Sequence, residues 1–288
     1  MSEHKIINGD CRFMAEVKDK SVHLIVTSPP YRQIKDYGTT NQIGYNETYG
    51  EYINNLNVVW DECYRVLHDG CRLCINIGDQ FARAKEYGRY KVIPIREEII
   101  KFCEIIGFDY MGAIMWKKIT NTKSSGGGVQ MGSYPFPRNG IIKIDYEFIL
   151  IFKKLGKAPK PTQEQKELSK MTAEEWNTYF AGHWNFPGVR QKGHSAMFPE
   201  ELPKRLIKMF SFVGETVLDP FGGSGTTALA AKNNNRNSII YEINDDYIDI
   251  IKEKLNDEKA TFLTQKVQNL TKRELPYIFI DPHKFNKK

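Results

Sequence analysis

At 288 residues, with 41% hydrophobic and 26% charged residues, the chain can bury a full core and fits one large domain with room for a small insertion, which excludes disorder on a large scale. A net charge of +6 admits a polyanionic partner without requiring one. No apolar run approaches the roughly 20 residues of a membrane span, so a soluble, cytoplasmic protein with no membrane association is expected. The five cysteines, Cys11, Cys63, Cys71, Cys74 and Cys103, are odd in number and read as reduced. Cys71 and Cys74 form a CxxC without the second pair of ligands a zinc site needs, so no metal is expected.

The elements alternate from the start. Lys5–Asn8 reads as a strand, Cys11–Glu16 as a short helix and Val22–Val26 as a buried strand that runs into Thr27-Ser28-Pro29-Pro30-Tyr31. A helix from about Tyr49 to Leu67 sets Ile53, Leu56, Val59, Trp60 and Cys63 on one face, and a strand follows over Arg72–Ile77. The next pair is a helix from about Pro94 to Ile106 and a strand over Tyr110–Trp116. This alternation predicts a parallel sheet flanked by helices. Gly, Ser, Thr and Pro make Thr120–Asn139 a loop, after which Tyr146–Phe152 is a buried strand. Residues 155–193 are polar and poorly periodic, with isolated aromatics, and read as an insertion at the edge or end of the sheet. Phe198-Pro199 opens a helix to about Phe210, with Pro199 in a first-turn position. A strand over Thr216–Asp219, a glycine loop, a helix over Thr226–Asn233, a strand over Ser238–Tyr241 and a helix over Asp246–Leu255 complete the pattern.

Two segments carry chemistry. Gly222, Gly223 and Gly225 after the strand ending in Asp219 let backbone turn sharply and approach a ligand closely. The loop lacks the lysine of a phosphate-binding Walker sequence. About twenty residues on, Glu242 stands at a strand end, where a carboxylate can accept from both hydroxyls of a ribose. S-adenosylmethionine has a ribose, an adenine and a charged amino acid but no phosphate. At the other segment, the two prolines hold Ser28-Pro29-Pro30-Tyr31 rigid. The Ser28 hydroxyl and Pro29 carbonyl can then act as fixed acceptors, and Tyr31 offers a stacking face. Those groups suit an exocyclic aromatic amine, whose delocalised lone pair becomes nucleophilic when its hydrogens are drawn into hydrogen bonds. Carbon-5 methylation of cytosine would need a cysteine nucleophile near this segment, and there is none.

Together, Thr27-Ser28-Pro29-Pro30-Tyr31 and Asp219-Pro220-Phe221-Gly222-Gly223-Ser224-Gly225-Thr226-Thr227 resemble the amino-group (cytosine-N4 and adenine-N6) DNA methyltransferases. The tetrapeptide precedes the cofactor loop, as in the permuted beta subgroup. The resemblance implies an α/β, Rossmann-like sheet of seven mostly parallel strands, with Tyr146–Phe152 as the single antiparallel one. It also implies methyl transfer from S-adenosylmethionine to a flipped base in double-stranded DNA, within a restriction-modification system whose cognate endonuclease is encoded nearby. The catalytic set would be Ser28, Pro29, Pro30 and Tyr31. The cofactor would be held by Asp10 near the adenine, Thr27, Phe198, Asp219 to Thr226, and Glu242 on the ribose. A serine in the first tetrapeptide position is similar to the cytosine-N4 enzymes. Adenine N6 is the alternative, and a catalytically silent DNA-binding module of the same fold is a second. The resemblance divides the chain into a catalytic region (1–154), a target-recognition insertion (155–193), a cofactor-binding part (194–271) and a tail. Lys117, Lys123, Arg138, Asn185, Arg190, Gln191 and Lys192 are candidate DNA contacts. Monomer and homodimer are both compatible with the sequence.

Overall fold

Successive residues of the central strands face opposite sides of the sheet: Leu24 and Val26 enter one apolar cluster and Ile25 another, all fully buried. Burial on both faces accounts for the unbroken apolar runs and requires helices above and below. A computed structural model describes residues 2–32, 41–82, 87–118, 132–188, 198–265 and 274–281. In chain order the elements are β1 (His4–Asn8), β2 (Val22–Thr27), α1 (Tyr49–Val66), β3 (Leu67–Ile77), β4 (Gln80–Ala82), β5 (Lys91–Ile93), α2 (Ile95–Ile105), β6 (Phe108–Lys118) and β7 (Tyr146–Lys154). Then come α3 (Gln163–Leu168), α4 (Ala173–Tyr179), β8 (His183–Phe186), α5 (Glu201–Phe210), β9 (Thr216–Asp219), α6 (Thr226–Asn233), β10 (Asn237–Glu242), α7 (Asp245–Leu255) and β11 (Thr261–Thr264).

The main sheet runs β11-β1-β10-β9-β2-β3-β7-β6-β8. β7 alone is reversed, antiparallel to β3 and to β6. The predicted seven-stranded sheet with one antiparallel strand is present as β1-β10-β9-β2-β3-β7-β6, and the structure adds a strand at each edge. Both additions are four residues long, too short for periodicity to announce them. Two other differences are local. Residues 11–17 form turns rather than the expected helix. They are pinned by side chains of α1: Glu62 accepts from the Met14 amide at 2.9 Å, and Arg65 donates to the Met14 and Val17 carbonyls. β4 and β5 form a small separate antiparallel pair.

Three of the aromatics in residues 155–193, Tyr179, Trp184 and Phe186, are buried. Trp184 and Phe186 of β8 are buried, the Trp116 indole donates to the Phe186 carbonyl at 3.0 Å, and the Trp184 indole donates to the Tyr179 carbonyl at 3.0 Å. The Arg205 guanidinium of α5 lies over the rings of Tyr179, Trp184 and Phe186, which ties the segment to the body by cation–π contact. Among the described residues no helix is long and apolar enough to cross a membrane.

Lys154 closes the joint between α1 and β3. Only 4% exposed, it donates to the Tyr64 and Leu67 carbonyls at 2.6 and 2.8 Å and lies 3.6 Å from Asp69. Burial lowers the pKa of its ammonium. Lys154→Met keeps the stem but strands two carbonyls, so urea unfolding should show a loss of about 1–3 kcal/mol. An unchanged midpoint would contradict this account.

Candidate active site

The C-terminal ends of β1, β10, β9, β2 and β3 lie side by side, and each leads into a segment that the sequence singles out or that borders one. Crossovers that depart in different directions open a crevice at such an edge. The cleft is lined by Gly9, Asp10 and Cys11 after β1, Ser28 and Pro30 after β2, Asn41, Gln42 and Ile43, Phe198, the loop Pro220–Ser224 with Thr226, and Tyr241, Glu242, Ile243 and Tyr247. Most of the expected set therefore converges. Thr27, Pro29, Tyr31, Asp219 and Gly225 are not among the residues that line it; Thr27 and Asp219 are buried, and the Tyr31 hydroxyl is engaged by Gly78 and Glu147.

Thr27 and Asp219 are 1% exposed and face each other inside the protein. The Thr27 hydroxyl donates to Asp219 Oδ1 at 2.7 Å, the Thr227 hydroxyl to Oδ2 at 2.6 Å and the Phe221 amide to Oδ1 at 3.0 Å. Burial pushes the Asp219 carboxyl up to about 6 against the pull of those bonds. The Asp219 carboxylate, expected among the cofactor-holding residues, is thus committed to holding two loops together. Gly225 starts α6 at φ +76°, and a Cβ there would come within 3.0 Å of Ile251. At Gly222 a Cβ would lie 1.9 Å from Ile240, whereas at Gly223 no atom outside the turn lies closer than 4.0 Å.

Glu242 stands at the end of β10, its carboxylate accepting from the Gly223 amide at 2.7 Å and the Asn244 amide at 2.8 Å. Burial raises its carboxyl to about 7 despite these donors. Asp10 is clasped by Arg12, whose Nε lies 3.0 Å from both carboxylate oxygens and whose Nη2 lies 2.6 Å from Oδ2. Arg12 also reaches Asn55 and the Asn41 carbonyl, and the Asp10 amide donates to Gln265. Among the described lining residues there are two carboxylates, several apolar and aromatic walls, and no lysine or arginine. That donor set fits a cationic, phosphate-free ligand with an aromatic ring, as S-adenosylmethionine is.

The tetrapeptide is braced from behind. The Tyr52 hydroxyl of α1 donates to the Pro30 carbonyl at 2.9 Å. The Tyr31 hydroxyl accepts from the Gly78 amide at 2.7 Å and donates to Glu147 at 3.3 Å. Ser28 is half-buried on the cleft wall, and its hydroxyl has no hydrogen-bond partner among the described residues. Arg32, the first residue after the tetrapeptide, is buried, donating to the Glu47 carbonyl and accepting from Gln80.

Of the candidate DNA contacts, Lys117 and Asn185 are register partners on β6 and β8 and both are exposed. Arg138 is exposed, in the left-handed region at φ +81°, and the rings of Tyr134 and Phe136 a few residues before it are exposed too. Lys123, Arg190, Gln191 and Lys192 lie outside the described residues. Sequence reading missed Arg12, Tyr52, Gly78, Glu147 and Gln265. A signal existed for Glu147, an acid inside the apolar run Tyr146-Glu147-Phe148-Ile149-Leu150. The other four act through contacts distant in sequence or through a local turn that carries no pattern.

Residues 22–253 match the N6/N4 DNA methylase family. The type II methyltransferase M.MjaI of Methanocaldococcus jannaschii is 40% identical over 284 residues, covering 88% of this chain and 91% of the relative. M.MthZI of Methanothermobacter thermautotrophicus is 33% identical over 278 residues, covering 88% and 77%. Among solved structures, a putative DNA modification methylase of Thermus thermophilus, determined with S-adenosyl-L-methionine, superposes with a TM-score of 0.75 at 35% identity, over 92% of this chain and all of that one. The cytosine-N4-specific PvuII DNA methyltransferase shares the fold, with a TM-score of 0.62 at 20% identity over 91% of this chain and 95% of that one. With a cleft at the sheet edge whose described lining holds two carboxylates and no lysine or arginine, and a match that runs from β2 into α7, the chain belongs to the N6/N4 DNA methylase family, whose methyl donor is S-adenosylmethionine.

Proposed function

We propose that this chain is a site-specific type II DNA methyltransferase of the permuted beta subgroup, acting in the cytoplasm on the exocyclic N4 amine of a cytosine flipped out of double-stranded DNA. Its methylation would protect sites from a cognate restriction endonuclease. The observation that carries the choice of base is Ser28, a hydroxyl on the cleft wall in the first tetrapeptide position with no partner among the described residues.

When bound, S-adenosylmethionine supplies an electrophilic methyl group on a sulfonium. Ser28 and Pro29 accept the hydrogens of the target amine. The Pro30 carbonyl accepts from Tyr52, which holds the segment's direction. Drawing both hydrogens into fixed acceptors localises the nitrogen lone pair and stabilises positive charge as it develops. Alignment of amine and methyl group does the remainder, an effect that can reach about 7–11 kcal/mol in favourable cases. Tyr31 walls the base. Glu242 accepts from the ribose hydroxyls, Asp10 holds the adenine edge from its clasp with Arg12, and Phe198, Pro220, Phe221 and the glycines enclose the rest. Thr27 and Asp219 serve the cofactor by fixing the loop. Residues 155–193 would read the DNA sequence, with Lys117, Lys123, Arg138 and Lys192 on phosphates and Asn185, Arg190 and Gln191 at base edges.

Digestion of methylated duplex to nucleosides and mass analysis should give N4-methylcytosine, and N6-methyladenine as sole product would refute the choice of base. Ser28→Ala should lower kcat by at least about tenfold with cofactor affinity within about twofold, a split that an equal loss of both would contradict.

Glu242 makes cofactor binding depend on pH. Its folded-state value of about 7 exceeds the ordinary 4.5, so the ligand-free fold favours the protonated acid. The associated stability is complete below the ordinary value and lost as pH rises through about 7. The ribose needs the ionised acceptor, so cofactor affinity should fall about tenfold per pH unit below about 7. Calorimetric titration of wild type and Glu242→Gln should show this slope in wild type and a flatter profile in the variant. Identical slopes would remove Glu242 from the binding.

A further inference from the structure

We propose that Glu147 is a positioning residue for methyl transfer, acting through the Tyr31 phenol to fix the wall against which the target base is placed. The proposal rests on the reading of Tyr31 as that wall.

A carboxylate in the apolar strand β7 is costly to bury, and Glu147 is only 9% exposed. Three groups converge on it. Asn76 Nδ2 donates to Oε2 at 2.7 Å, and Lys118, on the neighbouring strand β6, forms an ion pair with Oε1. The third is the Tyr31 hydroxyl, 3.3 Å from Oε1. The orientation of the Asn76 amide follows, since turning it over would set its oxygen against the carboxylate. Its Oδ1 is buried and has no hydrogen-bond partner among the described residues.

The phenol has one proton and receives one donor. The Gly78 amide, at 2.7 Å, donates into the oxygen, so the proton is directed at Glu147. Burial, reinforced by the Glu147 charge, holds the phenol protonated. With both capacities engaged, the hydroxyl has little left to offer a substrate, and Tyr31 is assigned to contact the base through its ring. Gly78 completes the clamp, because a Cβ there would lie 3.0 Å from the Tyr31 oxygen and 3.1 Å from Glu147 Cγ. The arrangement is a rigid support for one ring, built from β3, β6 and β7 at the edge that carries the tetrapeptide.

The test is a double-mutant cycle in the full chain with duplex substrate, scored by kcat, KM for DNA, cofactor affinity and thermal midpoint. Glu147→Gln and Tyr31→Phe should each lower kcat about tenfold, in keeping with the cost of small misplacements, while KM and cofactor affinity stay within about twofold. The double variant should be no slower than the slower single, because both changes cut the same link. Gly78→Ala, which displaces the phenol without touching either side chain's chemistry, should reproduce the kcat loss. Multiplying losses in the double variant, or a Glu147→Gln effect confined to the thermal midpoint, would overturn the proposal. A wild type that methylates adenine would sink the cytosine reading and leave the cycle interpretable, whereas a wild type that transfers no methyl group to DNA would remove the premise for both.

Discussion

The buried carboxylate of Asp219 is the constraint on which the site depends. Placing a carboxylate out of water is unfavourable unless its lone pairs are filled, and here they are filled by Thr27, Thr227 and the Phe221 amide. Thr27 and Asp219 are 192 positions apart in the chain. Their contact sets the Ser28-Pro29-Pro30-Tyr31 segment beside the glycine loop, while Thr227 fixes the first turn of the helix that follows. A cleft assembled from two distant strand ends therefore has one shared anchor directly under it. Residues next to the anchor, Ser28 on one side and Pro220 and Phe221 on the other, are among those that line the ligand space.

The parallel sheet was legible because its strands are buried on both faces and its helices have the 3.6 period, as the six-residue run of β2 and the apolar face of α1 demonstrate. Ser28 and Glu242 could be named from their places at strand ends, whereas Asp10, Phe198 and Phe221 were named through the resemblance to the amino-group DNA methyltransferases. What spacing could not convey was direction. Asp219 and Thr27 belong to the same motifs as the cleft residues, yet alternation along a strand turns their side chains inward. Strands of three or four residues, such as β5, β8 and β11, have too few alternations to rise above composition. The short segment after β1 looked helical from its apolar content but is held in turns by Glu62 and Arg65, which no local pattern records.

The same reasoning explains the braces behind the tetrapeptide. Tyr52, Gly78 and Glu147 come from α1, the end of β3 and the start of β7, and none lies near Ser28 in sequence. Their common property is position at one sheet edge. Prolines stiffen the segment along its own axis, but they cannot fix its tilt relative to the sheet. Hydrogen bonds to the Pro30 carbonyl and the Tyr31 hydroxyl supply that second restraint.

Under the proposal that residues 155–193 read the DNA sequence, the edge strand β8 has a consequence for how that reading can change. It joins β6 by main-chain pairing, and only Trp184 and Phe186 point into the core, while His183 and Asn185 face outward. Backbone pairing is indifferent to side-chain identity, so the outward positions are free to vary as long as the two inward rings and the cation above them persist. A foreign segment with the same alternation could dock on β6 without disturbing Asp219 or the cleft. On that proposal, sequence preference and methyl transfer could drift independently.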